Sequence, residues 1–178
     1  MAQNFSEFNI EKFEVSKHGR LIEELTEMLH EAYRPLAEQG MKYQATHQPP
    51  ETTLYRLRKG SSFLGFIGDE LVSTVTLVMG DPEEMCLWYK KPEVYFFTQF
   101  AVKTSWQRTG LGKTILDYLE SYAAQNGAME IALDTSEHAH RLITMYKNRY
   151  YRFIEYIDWD VTNYRSVILS KNLQESNI

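Results

Sequence analysis

Phe96-Phe97-Thr98-Gln99-Phe100-Ala101-Val102, followed by Gln107-Arg108-Thr109-Gly110-Leu111-Gly112, is the stretch whose reading decides the fold. The first part is an apolar run that reads as a strand ending at Val102; the second is a turn. From Leu111 onward, Leu111, Ile115, Leu119, Tyr122 and Ala123 recur at helical spacing on one face, and Asn126-Gly127 supplies the stop. A strand that delivers a glycine-containing turn straight into a helix start leaves backbone N–H groups unpaired and aimed outward, where the helix dipole adds partial positive charge. Such a turn is a cradle for an anion, and a pyrophosphate fits it. Gly110 and Gly112 bring no Cβ against the phosphate oxygens, and glycine tolerates positive φ cheaply.

Two kinds of protein use such a loop. Gly112-Lys113-Thr114 imitates the end of a nucleotide-binding P-loop, and Ile131-Ala132-Leu133-Asp134 imitates the strand that holds its magnesium ligand. The imitation fails at Gln107, where the P-loop pattern needs its first glycine. More than half of the chain also precedes this strand, whereas a P-loop domain usually opens its sheet with it.

The other pattern, Gln/Arg-x-x-Gly-x-Gly/Ala after an apolar strand, is met by Gln107, Gly110 and Gly112. In these residues the chain resembles the GNAT superfamily of acetyl-CoA-dependent N-acetyltransferases. Upstream, Phe96 to Val102 is similar to the family's fourth strand, which splays from its neighbour. Downstream, Ile131 to Thr135 is similar to the fifth strand, and the helix through Met145-Tyr146-Lys147 to the family's Leu-Tyr-Glu-Lys-Leu-Gly-Phe segment. The detailed resemblance runs from Glu93 to Leu173. Three departures stand out. Tyr150-Tyr151 replaces Gly-Phe, no asparagine lies among Ser136 to His140, and Ser73 replaces a third-strand glycine.

The resemblance implies an α/β (α+β) fold: a mixed, mostly antiparallel sheet of six to seven strands flanked by helices, with the fourth and fifth strands splayed apart. It implies acetyl-CoA as acetyl donor, held by Phe100, Ala101 and Val102 along the fourth strand and by Gln107, Arg108, Thr109, Gly110, Leu111, Gly112, Lys113 and Thr114 around the loop. It implies direct attack on the thioester by a primary amine of a small molecule or peptide. Such an amine, with a pKa near ~10.4, must first lose a proton, at a cost of roughly 4–5 kcal/mol at pH 7. The leaving thiolate departs more easily if protonated, and Tyr146 matches the tyrosine that many members use for this. No base stands out among Glu93, Glu130, Asp134 and His138, and the position some members fill with glutamate holds Phe96. The oxyanion's donor is expected at the backbone N–H near Val102, if the strand bulges there. A non-catalytic acyl-CoA-binding module on the same fold is the alternative, encouraged by Tyr150-Tyr151 and the missing base.

Composition sets outer bounds. A chain of 178 residues, 43% hydrophobic, reads as one domain over 1–178 with a frayed tail from Gln174. A formal net charge of −5 argues against general affinity for nucleic acid. The single cysteine, Cys86, cannot form an internal disulfide and reads as a packing residue. With no apolar run resembling a signal peptide or membrane span, the cytoplasm is the expected compartment. His138-x-His140 is the nearest approach to a metal pair and reads as exposed helix residues, so no metal is expected. A homodimer is left open.

Along the rest of the chain, Phe5 to Val15 reads as a strand and Ser16 as the cap of a helix from His18 to Tyr33, ended by Pro35 and Gly40. Leu21, Ile22, Leu25, Met28, Leu29 and Ala32 form its apolar face, with Glu23, Glu24, Glu27 and Glu31 on the solvated side. Pro49-Pro50 opens a helix over 51–59, and Gly68-Asp69-Glu70 joins strands 62–67 and 71–79 as a hairpin. The stretch 80–92 is an irregular excursion, either an aromatic-anchored surface loop or a wall of the acceptor cleft. Strands at 129–135, 152–159 and 165–170 complete the order.

Overall fold

The computed structural model describes residues 7–174. Seven strands form one sheet in the order β1-β2-β3-β4-β5-β7-β6. They are β1 (Phe8–Lys12), β2 (Ser61–Ile67), β3 (Glu70–Val78), β4 (Val94–Val102), β5 (Glu130–Ser136), β6 (Arg152–Asp158) and β7 (Arg165–Asn172). Every neighbouring pair is antiparallel except β4 and β5. The helices are α1 (Val15–His18), α2 (Ile22–Glu38), α3 (Pro50–Leu57), α4 (Leu111–Gln125) and α5 (His140–Lys147).

The two-residue side-chain period of the strands sorts the core onto two faces. Phe63, Val75, Phe97, Ile131, Leu133 and Leu169 point to the face that α4 covers with Leu111, Ile115 and Leu119. Their neighbours point the other way. Leu64, Leu71 and Ala101 meet Leu25, Leu29 and Leu57 of α2 and α3. Phe96, Ala132 and Ile168 meet Cys86 and Tyr89 of the excursion. The acidic side of α2, at Glu23, Glu24, Glu27 and Glu31, is exposed as expected.

Three expectations about the N-terminal third change. The first strand begins at Phe8 among the described residues and stops at Lys12, while Phe5 and Ser6 lie outside the described residues, as do residues 175–178 of the expected tail. Ser16 does not cap a long helix but sits inside the single turn of α1. That turn closes around buried His18, whose Nδ1 accepts the Glu14 N–H at 3.0 Å while its Nε2 lies 3.0 Å from Glu11 Oε2. Pro35 does not end the second helix. α2 runs on to Glu38, because Leu36 packs with Met41 and Tyr43, and its carbonyl accepts the N–H of Met41 at 3.0 Å. Pro35 is exposed, which lets water satisfy the carbonyl that loses its donor.

The excursion between β3 and β4 contains no helix or strand and is anchored from within. The Tyr89 ring stacks on Phe96, centroids 4.0 Å apart and planes 3° from parallel. Cys86 is buried beside it with Sγ 3.4 Å from Glu155 Oε1, so its role is packing. Burial, the largest influence, and the neighbouring carboxylate push its thiol up to about 11.

Candidate active site

The decisive feature is where β4 and β5 part company. Their parallel pairing covers only Val94↔Glu130, Tyr95↔Ile131 and Phe96↔Ala132, and beyond Phe96 the two strands diverge. Against β3, Thr74 pairs with Ala101 but Thr76 with Thr98, so Gln99 and Phe100 together stand opposite Val75 as a bulge. Gln99 takes φ 51° there, a left-handed conformation costly for a residue with a Cβ. The bulge therefore lies at Gln99-Phe100 and not near Val102, where the sequence reading expected one. Two carbonyls on the opened stretch are engaged by side chains: Phe100 O accepts from Tyr33 Oη at 3.0 Å, and Val102 O from Gln107 Nε2 at 3.0 Å.

At the end of β4 the loop turns into α4. Arg108 at φ 62° and Gly110 at φ 99° are both left-handed, and the reversal brings consecutive amides to one side. The N–H groups of Arg108, Thr109, Gly110, Gly112 and Lys113 meet no acceptor among the described residues. The Thr109 hydroxyl donates to Trp106 O at 2.6 Å, and Thr114 Oγ1 lies 3.4 Å from Gly110 O. Leu111 is fully buried and anchors the helix start. Positive φ is the reason for glycine only at Gly110. Gly112 is helical, and a Cβ there would sit 3.6 Å from Val102 Cγ2 and 3.7 Å from Phe100 Cζ, in ordinary contact. Lys113 pairs with Asp117 on its own helix at 2.6 Å and is largely exposed, unlike a P-loop lysine. Arg108 is exposed, and its side chain has no ion-pair partner among the described residues.

The gap between the diverging strands is a cavity of about 170 Å³. Tyr33, Tyr43, Tyr146 and Tyr164 line it together with Arg56, Gln99, Asp134 and Trp159. The hydroxyls of the four tyrosines divide into two kinds. Those of Tyr33 and Tyr43 are structural: Tyr33 holds Phe100 O, and Tyr43 lies 2.8 Å from Thr135 Oγ1 and accepts the Ser136 N–H at 3.0 Å. Those of Tyr146 and Tyr164 meet no hydrogen-bond partner among the described residues, although both residues face the cavity. Burial, then the neighbouring tyrosines, raises the Tyr146 hydroxyl well above the usual phenol range, so it is a protonated donor. Burial does the same for Tyr164. Tyr146 is held by its ring, with centroids 6.1 Å from Phe97 and 5.5 Å from Tyr151.

Among the described residues, Asp134 is the one carboxylate lining this cavity. Its Oδ2 accepts from Trp159 Nε1 at 3.1 Å and Ser166 Oγ at 3.2 Å, and burial raises its pKa despite those bonds. The other sequence candidates lie elsewhere. Phe96 is stacked on Tyr89, and His138 and His140 are exposed. Burial raises the pKa of Glu130, but hydrogen bonds from Arg152 at 2.6 Å and Ser170 at 2.6 Å outweigh it and leave the carboxyl lowered. No cluster of metal-binding side chains occurs among the described residues. Sequence reasoning missed Tyr164, Arg56 and Gln99, which come from separate elements and share no motif.

The departures at Tyr150-Tyr151 also find their place. Tyr150 adopts φ 69°, the left-handed conformation glycine would take, with its ring exposed. Tyr151 is buried, and its hydroxyl donates to Glu120 Oε1 at 3.1 Å.

A splayed strand pair beside an amide-lined helix start is the architecture of an acyl-CoA-dependent transferase. The Acetyltransferase (GNAT) family model matches residues 22–150, and the chain belongs to that family. S-(2-succino)cysteine N-acetyltransferase of Bacillus subtilis (strain 168) is 25% identical over 134 residues, covering 72% of this chain and 77% of the relative. A Bacillus subtilis acetyltransferase solved in complex with CoA superposes with a TM-score of 0.64 at 19% identity, over 93% of this chain and 98% of that one. A Pyrococcus horikoshii OT3 protein superposes with a TM-score of 0.69 at 18% identity, with the same shares covered.

Proposed function

We propose that the protein transfers an acetyl group from acetyl-CoA to a primary amine by direct attack within a ternary complex. One observation carries this reading. The free amides at the head of α4 lead along the opened edge of β4 to a cavity where the unpartnered hydroxyl of Tyr146 and the carboxylate of Asp134 both face the same space.

The chain's residues fit each task. The amides of Arg108 to Lys113 would bind the pyrophosphate, and the edge of β4 from Phe100 to Val102 would align the pantetheine arm, which is what holding two reactants in register requires. Asp134, with its proton affinity raised by burial, takes the ammonium proton. The freed nitrogen lone pair forms the C–N bond to the thioester carbonyl carbon, and a backbone N–H at the Gln99-Phe100 bulge receives the developing oxyanion. As the C–S bond breaks, Tyr146 gives its proton to the sulfur. As the amide forms, its nitrogen gives up a second proton that returns to the Tyr146 oxygen through solvent, and Asp134 releases its proton to bulk water, so the products are a neutral amide, the free thiol and one proton.

Two observations weaken the non-catalytic alternative: Tyr150 holds the backbone shape expected of glycine, and Asp134 is an acid–base group facing the cavity. The activity for which the Bacillus subtilis relative is named makes amino-acid derivatives one acceptor class to test. The test is release of free CoA thiol in the presence of an amine panel, with acetyl-CoA binding measured separately by calorimetry. Binding without thiol release for any amine would return the protein to the module reading.

A further inference from the structure

We infer that the acceptor carries a carboxylate beside its amine, as an α-amino acid or close derivative does, with Arg56 holding the carboxylate while the amine faces Asp134. This deepens the acetyltransferase reading and rests on it. Arg56 reaches the cavity from α3, and Asp134 reaches it from β5. No carboxylate lies within ion-pair distance of Arg56 among the described residues. Its guanidinium donates one hydrogen bond, from Nη1 to Gln48 Oε1 at 2.7 Å, which leaves most of its five N–H donors for a ligand.

The guanidinium is aimed by a rigid support. Buried Gln48 donates to Gln99 Oε1 and to Thr53 Oγ1, each at 2.7 Å, and Thr26 donates to Thr53 Oγ1 at 2.8 Å. Such a network leaves Gln48 Oε1 facing Arg56 and fixes the cation in place. Gln99 adds an independent sign of a missing partner. It is 3% exposed, lines the cavity, sits at left-handed φ on the bulge, and its Nε2 is without an acceptor. A buried amide N–H left unpaired is costly, as is a partly buried cation with no counter-ion. A ligand carboxylate offers both of them acceptors.

The cavity thus presents a cation and a spare amide donor together with one anion, the complement of a zwitterion. Arg56 and Asp134 form no ion pair with each other among the described residues, so neither is tied up by the other. The volume of about 170 Å³ is below the roughly 300–1,000 Å³ that takes a drug-sized ligand. Only a compact head group enters, so amine and carboxylate must lie close together. An alkylamine with no carboxylate would leave Arg56 and Gln99 unpaired, the arrangement by which a polar site rejects an analogue lacking the group it was built to bind.

The experiment titrates the protein, with and without saturating acetyl-CoA, with the common α-amino acids and with their decarboxylated amines, such as methionine against 3-(methylthio)propylamine. Thiol release is followed in parallel. The expected result is that at least one amino acid binds and is acetylated, with the carboxylate-free partner weaker by about 10²-fold. Arg56→Gln should collapse that ratio toward one, and Arg56→Lys, which keeps the charge but not the two-pronged fork, should fall between. Comparing ratios across variants cancels the different basicities of the amines. Equal binding of both members by the wild type, no binding of any amino acid, or a ratio unmoved in folded Arg56→Gln and Arg56→Lys would each overturn the inference. Acetylation of carboxylate-free amines alone would preserve the acetyltransferase reading while overturning this one. Arg56-dependent binding of amino acids without any acetyl-CoA binding would do the reverse.

Discussion

Tyr146 and Tyr164 both present an unpartnered hydroxyl to the cavity, yet only Tyr146 lies on the segment that resembles the family's tyrosine helix. Tyr146→Phe keeps the ring contacts with Phe97 and Tyr151, so acetyl-CoA affinity and melting temperature should hold while turnover falls roughly 10²–10⁴-fold, the usual worth of a positioned acid. Tyr164→Phe is the control; stopped thiol-release assays at matched saturation decide which hydroxyl serves. If Tyr164→Phe shows the loss and Tyr146→Phe does not, the roles are exchanged.

Asp134 makes a pH prediction whose sign follows from burial. Its folded-state pKa is raised, so the fold favours the protonated carboxyl; that stabilising preference is present below the ordinary aspartate value and is lost as pH climbs through the higher folded value. Activity should run the opposite way. It should rise as pH climbs through that folded value, since only the carboxylate accepts a proton. In Asp134→Asn this limb of the kcat/KM profile should vanish, while the variant gains stability relative to the wild type as pH increases. A pH–rate profile and melting curves of the two proteins, collected over the same buffers, test both halves.

At the scale of elements, the junction between α5 and β6 holds a residue in a costly conformation. A bulky side chain at left-handed φ costs roughly 1–2 kcal/mol, and Tyr150 is 84% exposed, so its ring contributes little packing in return. Glycine removes the strain but loosens the unfolded chain. The balance predicts that Tyr150→Gly stabilises the protein by up to about 1 kcal/mol, a rise of roughly 2–4 °C in melting temperature. The opposite junction, from β4 to α4, behaves differently. Gly110→Asp places both a Cβ at φ 99° and a negative charge among the free amides, and should abolish measurable acetyl-CoA binding in calorimetry. Gly112→Ala, by contrast, meets only ordinary contacts within the protein, so a loss of acetyl-CoA affinity in that variant would mean that the cofactor itself passes close to Gly112.

For the whole molecule, acetyl-CoA bound as proposed would lie along the open gap between β4 and β5. Acetyl-CoA at a hundred times its dissociation constant should add roughly 2.7 kcal/mol to folding stability, and ATP with magnesium should add none. Thermal shift measures this directly. An equal shift with ATP that disappears in Lys113→Ala would contradict the exposed pairing of Lys113 with Asp117.

The local patterns were legible because each is written within a few residues of itself. The period-two alternation of Phe96-Phe97 and Ile131-Ala132-Leu133, the helical stripe of α4 and the turn Gln107 to Gly112 all depend on near-neighbour geometry, and together they carried the fold class and the turn of free amides. The chain did not disclose in sequence that Pro35 would stay within α2, since the compensating contacts of Leu36 with Met41 and Tyr43 form only after the chain turns back. Nor did it single out the carboxylate proposed as the base. Asp134 was one carboxylate among several until the divergence of β4 from β5 opened a cavity beside it and left Glu130 tied to Arg152 and Ser170. Arg56, Gln99 and Tyr164 come from α3, β4 and the β6–β7 connection, and no spacing along the chain links them. Sequence fixes what each segment prefers through local sterics and periodicity; which polar groups share one desolvated space is decided by long-range packing.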